Sequence, residues 1–419
     1  MPGGSGDSVE TNHRSEENMI KRVLAAALAF AALGLAPAHA EKKYGPGVTD
    51  TSIRIGQTMP YSGPASAYGV IGKAEAAYFA MINEQGGVNG RKIDFLSLDD
   101  GYSPPKTVEQ TRKLVEQEEV LLIFQSLGTP TNSAIQKYLN AKKVPHLFLA
   151  TGASKWGDPK GFPWTMGFNP SYQAEARIYA QHILKTKPDA RIALIYQNDD
   201  FGKDYVVGFK GMLGDKAAKM IVAEQSYEVS DPTVDSQIVA LKASGADLLV
   251  TFATPKFAAQ VIRKVADVGW KPMHYLTNVS TSVGAVLQPA GLDKAAGVIT
   301  ALYFKDTSDP QWKNDPATRA WEEWMRKYHK GGNLDDSFNV YGYVVAQVMV
   351  HVLKACGDDL SRENVMRQAA NLRKLEVPML MPGITVNTSA TDFNPIGEMQ
   401  LARFDGKRWV PFGEVLSGR

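Results

Sequence analysis

Apolar residues fall into short, continuously hydrophobic runs, each followed by a stretch with helical periodicity. Ile53–Thr58 predicts a strand. The loop SGPASAYG comes after it, and a helix is predicted from about Gly69 to Asn83, with Val70, Ala74, Ala77 and Met81 on one face. EQGGVNGRK is glycine-rich turn chemistry. Lys92–Leu98 is the next predicted strand, and Pro104 and Pro105 open a helix carrying Val108, Thr111 and Val115. Val120–Phe124 and Val144–Leu149 predict two buried strands around a helix through Ile135 and Leu139. The alternation resumes with strands at Arg191–Tyr196, Asp247–Phe252 and from His274 to Thr277, and a helix that turns Ala258, Val261, Ile262 and Val265 inward. Strands without a polar face, alternating with amphipathic helices, predict parallel sheets covered on both sides.

Two such runs, residues 44–166 and 167–297, predict an α/β fold of two doubly wound, Rossmann-like lobes. The remaining segments are too few for a third domain. Gly297–Phe304 and a helix at Asn339–Ala355 are expected to return to the first lobe as part of residues 298–380, and the tail, about 381–419, to the second.

The N-terminal 40 residues break the pattern. After Met19 come Lys21 and Arg22, an uncharged apolar run from Val23 to Leu35, and Ala38-His39-Ala40 with small residues where a signal peptidase reads. This predicts a cleaved secretory signal, too short for a stable membrane anchor. Residues 1–18 are polar and aperiodic and read as an upstream extension, with Met19 as the expected start. No cysteine follows the cleavage site, so lipid attachment is not expected, and a freely exported product points to a Gram-negative periplasm. Cys356 is the single cysteine, so no internal disulfide can form and a small buried core residue is expected there.

Removing residues 1–40 leaves 43 Lys+Arg against 40 Asp+Glu in 379 residues. Such a balanced chain, with no basic run, offers nothing to a nucleic-acid backbone. Its length suits two cores rather than one. Enzyme signatures are missing: no G-x-S-x-G, no H-E-x-x-H, no C-x-x-C, no phosphate-binding P-loop and no G-x-G-x-x-G after the first strand. The histidines lack metal-ligand spacing, so neither metal nor cofactor is expected. Asp99-Asp100 and Asp199-Asp200 read as solvated or helix-capping acids.

Ligands of open parallel sheets bind outside the carboxyl ends of the strands. The loops there are SGPASAYG, SLGTPTN, ATGAS, NDDFG, ATPKF and NVSTS, and Thr254 and Asn278 are candidate contacts in the last two. Hydroxyls and free N–H groups at helix starts suit a carboxylate, although ordinary turn and cap chemistry favours the same residues.

Across nearly the whole chain after residue 40, the order of these segments resembles the periplasmic binding proteins of branched-chain (hydrophobic) amino acid importers. The likeness runs through MPYSGPASAYG, AAYFAMINEQGGVNGRKI, LDDGYSPPKTVEQTRKLV, SLGTPTNSAI, VPHLFLATGAS, QNDDFGKDY and TFATPKFAAQVIRKVADVGW. The resemblance implies a type I binding-protein fold, with two lobes joined by a three-segment hinge and closing on a small molecule. It implies that Thr129, Ala150, Thr151 and Gly152 hold the ligand's carboxylate, that Tyr68 lines the site, and that Phe201 stands where tyrosine is common. It also implies permease partners and, for the chain itself, a monomer.

One departure bears on the ligand. The NVSTS loop, residues 278–282, carries no acid to meet a ligand ammonium, and burying an unpaired ammonium is costly. An aromatic or other apolar carboxylic acid without an amino group is therefore expected. A hydrophobic amino acid, a periplasmic ligand sensor and a secreted enzyme remain as alternatives.

Overall fold

The computed structural model describes residues 42–418. The expected export signal and upstream extension, residues 1–40, lie outside them. Fourteen strands are ordered among the described residues: β1 (Lys43–Tyr44), β2 (Ser52–Met59), β3 (Lys92–Asp99), β4 (Leu122–Phe124), β5 (His146–Leu149), β6 (Thr165–Gly167), β7 (Ile192–Gln197), β8 (Ile221–Tyr227), β9 (Leu248–Phe252), β10 (Met273–Leu276), β11 (Ile299–Leu302), β12 (Asp359–Leu360), β13 (Glu398–Phe404) and β14 (Trp409–Ser417). They form a parallel five-stranded sheet, β3-β2-β4-β5-β6, and a seven-stranded sheet, β14-β13-β11-β10-β9-β7-β8, with β1 pairing β12 separately. This is the two-sheet α/β architecture that the resemblance implies.

The runs without a polar face behave as their composition requires. Every residue of β4, β5 and β9 is buried, because helices cover both faces of each sheet. In the first sheet β2 and β3 stay in register from Ser52↔Lys92 to Met59↔Asp99. The helix Gly69–Glu84 packs on Ser337–Cys356, a helix buried almost throughout, with Gly342 fitted against the Ile71 carbonyl. Cys356 is buried in that helix as a free thiol, and burial pushes its pKa up to about 12.

Two expectations are corrected. Gly297–Phe304 does not rejoin the first sheet: β11 lies parallel to β10 through Tyr275↔Ile299 and antiparallel to β13 through Thr300↔Ala402. The short helical turns between residues 278 and 295 bring the chain back beside β10, and β11 is fully buried there although it carries Thr300. The strand expected from Val120 begins at Leu122, because Glu119 takes φ 50° and the Val120 N–H still closes the preceding helix on the Leu114 carbonyl.

The chain passes between the sheets three times: after β6, after β11, and on its return to β13. From Lys43 onward it forms one compact unit. Among the described residues, no helix is long and apolar enough to cross a membrane.

Candidate functional site

The loop after β4 is built around Gly128. It sits at φ +101°, and a Cβ there would lie 2.5 Å from the Tyr102 ring, so only glycine fits. The helix Thr129–Ala141 starts at the next residue. Asn132 fixes this turn by donating to the carbonyls of Ser126 (2.8 Å) and Gly128 (2.7 Å). Its Oδ1 lies 2.7 Å from His146 Nε2. Burial lowers the His146 pKa to about 3, so the ring is neutral and its Nε2 carries the donated proton. The Thr129 and Thr151 hydroxyls are 2.6 Å apart, and Thr151 also accepts from Trp156 Nε1 at 3.2 Å. The Thr129 N–H opens the helix and takes no partner among the described residues, which leaves an oriented donor beside the hydroxyl pair.

Thr254 begins the turn after β9 and donates its hydroxyl to Gln197 Oε1 at 3.1 Å. Phe201 stands edge-on to Tyr172 (5.3 Å between centroids), whose other neighbour is the stacked ring of Tyr205 (4.4 Å). Asn278 follows β10, and its backbone N–H donates to Glu175 Oε1 at 2.8 Å while its side-chain Nδ2 donates to Oε2. Glu175 is fully buried, and the Tyr179 and Tyr205 hydroxyls lie 2.5 and 2.7 Å from its oxygens. Burial raises its pKa from 4.5 to about 7, opposed by those hydrogen bonds.

These turns face one another across one shared cavity. Of the residues singled out from sequence, Tyr68, Thr129, Ala150, Phe201, Thr254 and Asn278 line it together. Thr151 and Gly152 stand behind the wall. Thr151 supports Thr129, and Gly152 is packed so closely that a Cβ would lie 2.2 Å from the Pro170 carbonyl.

Sequence reasoning misses much of the wall: Ile71, Tyr102, Leu127, Asn169, Tyr172, Val279, Tyr303, Phe304, Phe338 and Tyr341. Tyr303 and Phe304 come from the crossing segment that pairs in the seven-stranded sheet instead of the first. Phe338 and Tyr341 come from a helix start with no loop signature. Tyr102, at φ 60°, follows the Asp99-Asp100 pair, whose sequence suggests only capping. Asp100 is neither solvated nor a helix cap: it is buried, accepts from the Tyr102 N–H at 2.9 Å and the Thr107 hydroxyl at 2.8 Å, and so aims Tyr102 at the cavity.

Among the described residues, no side chain that lines the cavity is charged. Asp199 stands next to the site, but one oxygen caps the helix at Phe201 and Gly202 and the other accepts from Gln197. Asn169 Oδ1 accepts from Tyr341 OH at 2.5 Å, leaving Asn169 Nδ2 as the donor edge. Among the described residues, no three His, Cys, Asp or Glu side chains are grouped to hold a metal.

The cavity is closed by bonds between elements of the two sheets. Tyr68 donates to the Val279 carbonyl (2.9 Å), Lys155 meets Asp200 (2.6 Å), and the Ser154 N–H and hydroxyl donate to Asp204 (2.8 and 3.0 Å). At the far side the Ser282 hydroxyl donates to Asp336 (2.8 Å).

This architecture recurs in known proteins. A Leu/Ile/Val-binding protein homolog 7 of Brucella abortus (strain 2308) is 25% identical over 405 residues, covering 93% of this chain and 94% of the relative. A branched-chain amino acid ABC transporter protein of Thermus thermophilus, solved with bound valine, superposes with a TM-score of 0.79 at 18% identity, covering 88% of this chain and 97% of that one. A fatty acid ABC transporter substrate-binding protein of Thermomonospora curvata superposes with a TM-score of 0.75 at 24% identity over 90% and 95% of the two chains. The model of one family, described as periplasmic binding protein, matches residues 52–408, and with most of its length inside that match the chain belongs to the periplasmic binding protein family.

Proposed function

We propose that this protein is the ligand-capturing component of an ABC importer, and that it closes on a small hydrophobic amino acid through its carboxylate and apolar side chain. The observation that carries this reading is the polarity of the cavity. The Thr129 N–H, the Thr129–Thr151 hydroxyl pair and Asn169 Nδ2 offer donors to a carboxylate, while the rest of the wall is mostly aromatic and aliphatic. The relatives named for Leu/Ile/Val and the structural neighbour holding valine support the same class. Periplasmic residence follows from the family. Export by cleavage after Ala40, without lipid, and delivery to a membrane permease complete the proposal.

A second reading, an aromatic or aliphatic acid without an amino group, is favoured by one feature: among the described residues, no side chain that lines the cavity is charged. The structural neighbour named for fatty acids supports it, since such a ligand has a carboxylate and no ammonium.

Calorimetric titration of the exported protein with leucine, valine, benzoate, 4-hydroxybenzoate and hexanoate distinguishes the readings. Binding of leucine or valine alone supports the first, and binding of the acids alone supports the second. No heat from any of the five overturns both.

A further inference from the structure

We infer that Glu175 is a specificity-determining positioning residue: it turns the Asn278 side chain so that its amide oxygen faces the cavity, and the site selects ligands that carry a hydrogen-bond donor opposite the carboxylate. This rests on the proposed capture of a carboxylate ligand and deepens it.

The argument is geometric. A primary amide has one donor edge and one acceptor edge. Asn278 Nδ2 is held by Glu175 Oε2 and the Asn278 backbone N–H by Oε1, a two-point clamp that fixes the group. With its donor edge committed, Asn278 leaves only Oδ1 for the cavity it lines. Reversing the amide would set Oδ1 against a carboxylate oxygen, acceptor against acceptor. Glu175 cannot rotate away, because the Tyr179 and Tyr205 hydroxyls hold its oxygens from the other side and the whole group is buried. Tyr205 is itself wedged between the rings of Tyr172 (4.4 Å) and Phe252 (4.5 Å).

The hydroxyl of Thr254 is also spent as a donor, on Gln197 Oε1, so its outward character is that of an acceptor. The cavity is therefore polarised: donors gather at Thr129, and acceptors stand at Asn278 and Thr254. The ligand class that fits has a carboxylate at one place and an ammonium or hydroxyl at another. An ammonium at Asn278 Oδ1 would favour the ionised form of Glu175 directly behind the wall, so it is not left to neutral groups alone.

Matched ligand pairs test this by calorimetry on the exported protein. Leucine is compared with 4-methylpentanoate, which lacks its amino group, and 4-hydroxybenzoate with benzoate. In at least one pair the donor-bearing member is expected to bind roughly tenfold or more tighter, the scale of a hydrogen bond to a charged group. In Glu175→Gln the new amide donates toward Asn278, turns its oxygen back and presents Nδ2 to the cavity. The ratio within that pair is then expected to fall below about threefold while the donor-free member keeps its affinity. Should Glu175→Gln fail to fold, Asn278→Leu removes the acceptor with Glu175 in place and is expected to weaken only the donor-bearing member. Equal affinities within both pairs overturn the inference alone, as does an equal loss for both members in either variant. No binding by any of the four overturns the carboxylate reading and the inference with it.

Discussion

The Tyr68 hydroxyl donates to the carbonyl of Val279 at 2.9 Å, joining the start of the first long helix to the turn after β10 across the cavity. Both residues line the cavity, and they flank strands of different sheets, so parting the two sheets would break the bond. Burial raises the phenol's pKa far above its ordinary value, so it remains a donor at any physiological pH. Tyr68→Phe keeps the ring against Phe338, 5.0 Å away, and deletes only this bond. Ligand affinity is expected to fall by about 0.5–1.5 kcal/mol, roughly two- to tenfold, through the closed state alone. Calorimetry measures the loss. An equal drop in the melting temperature of the ligand-free protein would instead assign Tyr68 to folding.

Thr129→Ala removes a hydroxyl aimed at the proposed carboxylate and leaves the helix N–H in place. Affinity for the bound carboxylate is expected to fall by about 1.5–3 kcal/mol, one to two orders of magnitude. The ligand-free protein loses little, because Thr151 retains its partner Trp156 Nε1. An unchanged dissociation constant would move the carboxylate to Asn169.

The exposed Lys155–Asp200 pair at the rim contributes little by comparison. Its side chains are 37% and 56% accessible, so solvent screens it. Lys155→Ala is expected to change affinity by less than about 1 kcal/mol, and high salt to reproduce the effect in the native protein. A tenfold loss of affinity in Lys155→Ala would show that the rim, not Tyr68, holds the cleft shut.

How much of this is legible in the chain depends on the range of the signal. Strands such as β4 announce themselves because every residue is apolar, and Thr129 and Asn278 because each lies in the segment that follows a strand. Glu175 gives no such signal. It lies 103 residues from Asn278 and inside a helix, where a glutamate reads as solvated. The acid-free loop at 278–282 therefore argues against a ligand ammonium, whereas the fold sets an acid directly behind it. Likewise β11 is as apolar as a first-lobe strand. Its place in the seven-stranded sheet is decided by β10 on one side and by β13, which pairs with it from about 100 residues further on.

Gly152 is a packing requirement rather than a ligand contact. A Cβ would meet the Pro170 carbonyl at 2.2 Å and the Tyr172 ring at 2.8 Å, and the carbonyl belongs to backbone that cannot swing aside. Gly152→Ala is expected to destabilise the fold by roughly 1–3 kcal/mol, the usual cost of overpacking. It should also weaken binding, because Tyr172 lines the cavity. Chemical denaturation measures the first effect, and wild-type stability in the variant would show that the Pro170 turn yields freely.

Glu175 also sets a pH dependence whose sign can be worked out. Its carboxyl titrates near 4.5 when unfolded and near 7 in the fold, chiefly because of burial. Between those values the folded protein holds a proton that the unfolded chain has released. This group's contribution is therefore fully present at acid pH and is lost as pH rises through 7, by roughly 3 kcal/mol in total. The buried His146 and His274, with pKa values lowered to about 3 and about 4, act in the opposite sense: they lose stability as pH falls through 6.5. Both are common to wild type and Glu175→Gln, so they cancel in the difference between the two. Unfolding free energies measured from pH 5 to pH 8 should show wild type losing roughly 2–3 kcal/mol relative to Glu175→Gln across that interval. A difference that stays flat with pH would mean that Glu175 ionises in the fold as it does in water, and that its four hydrogen bonds fully offset its burial.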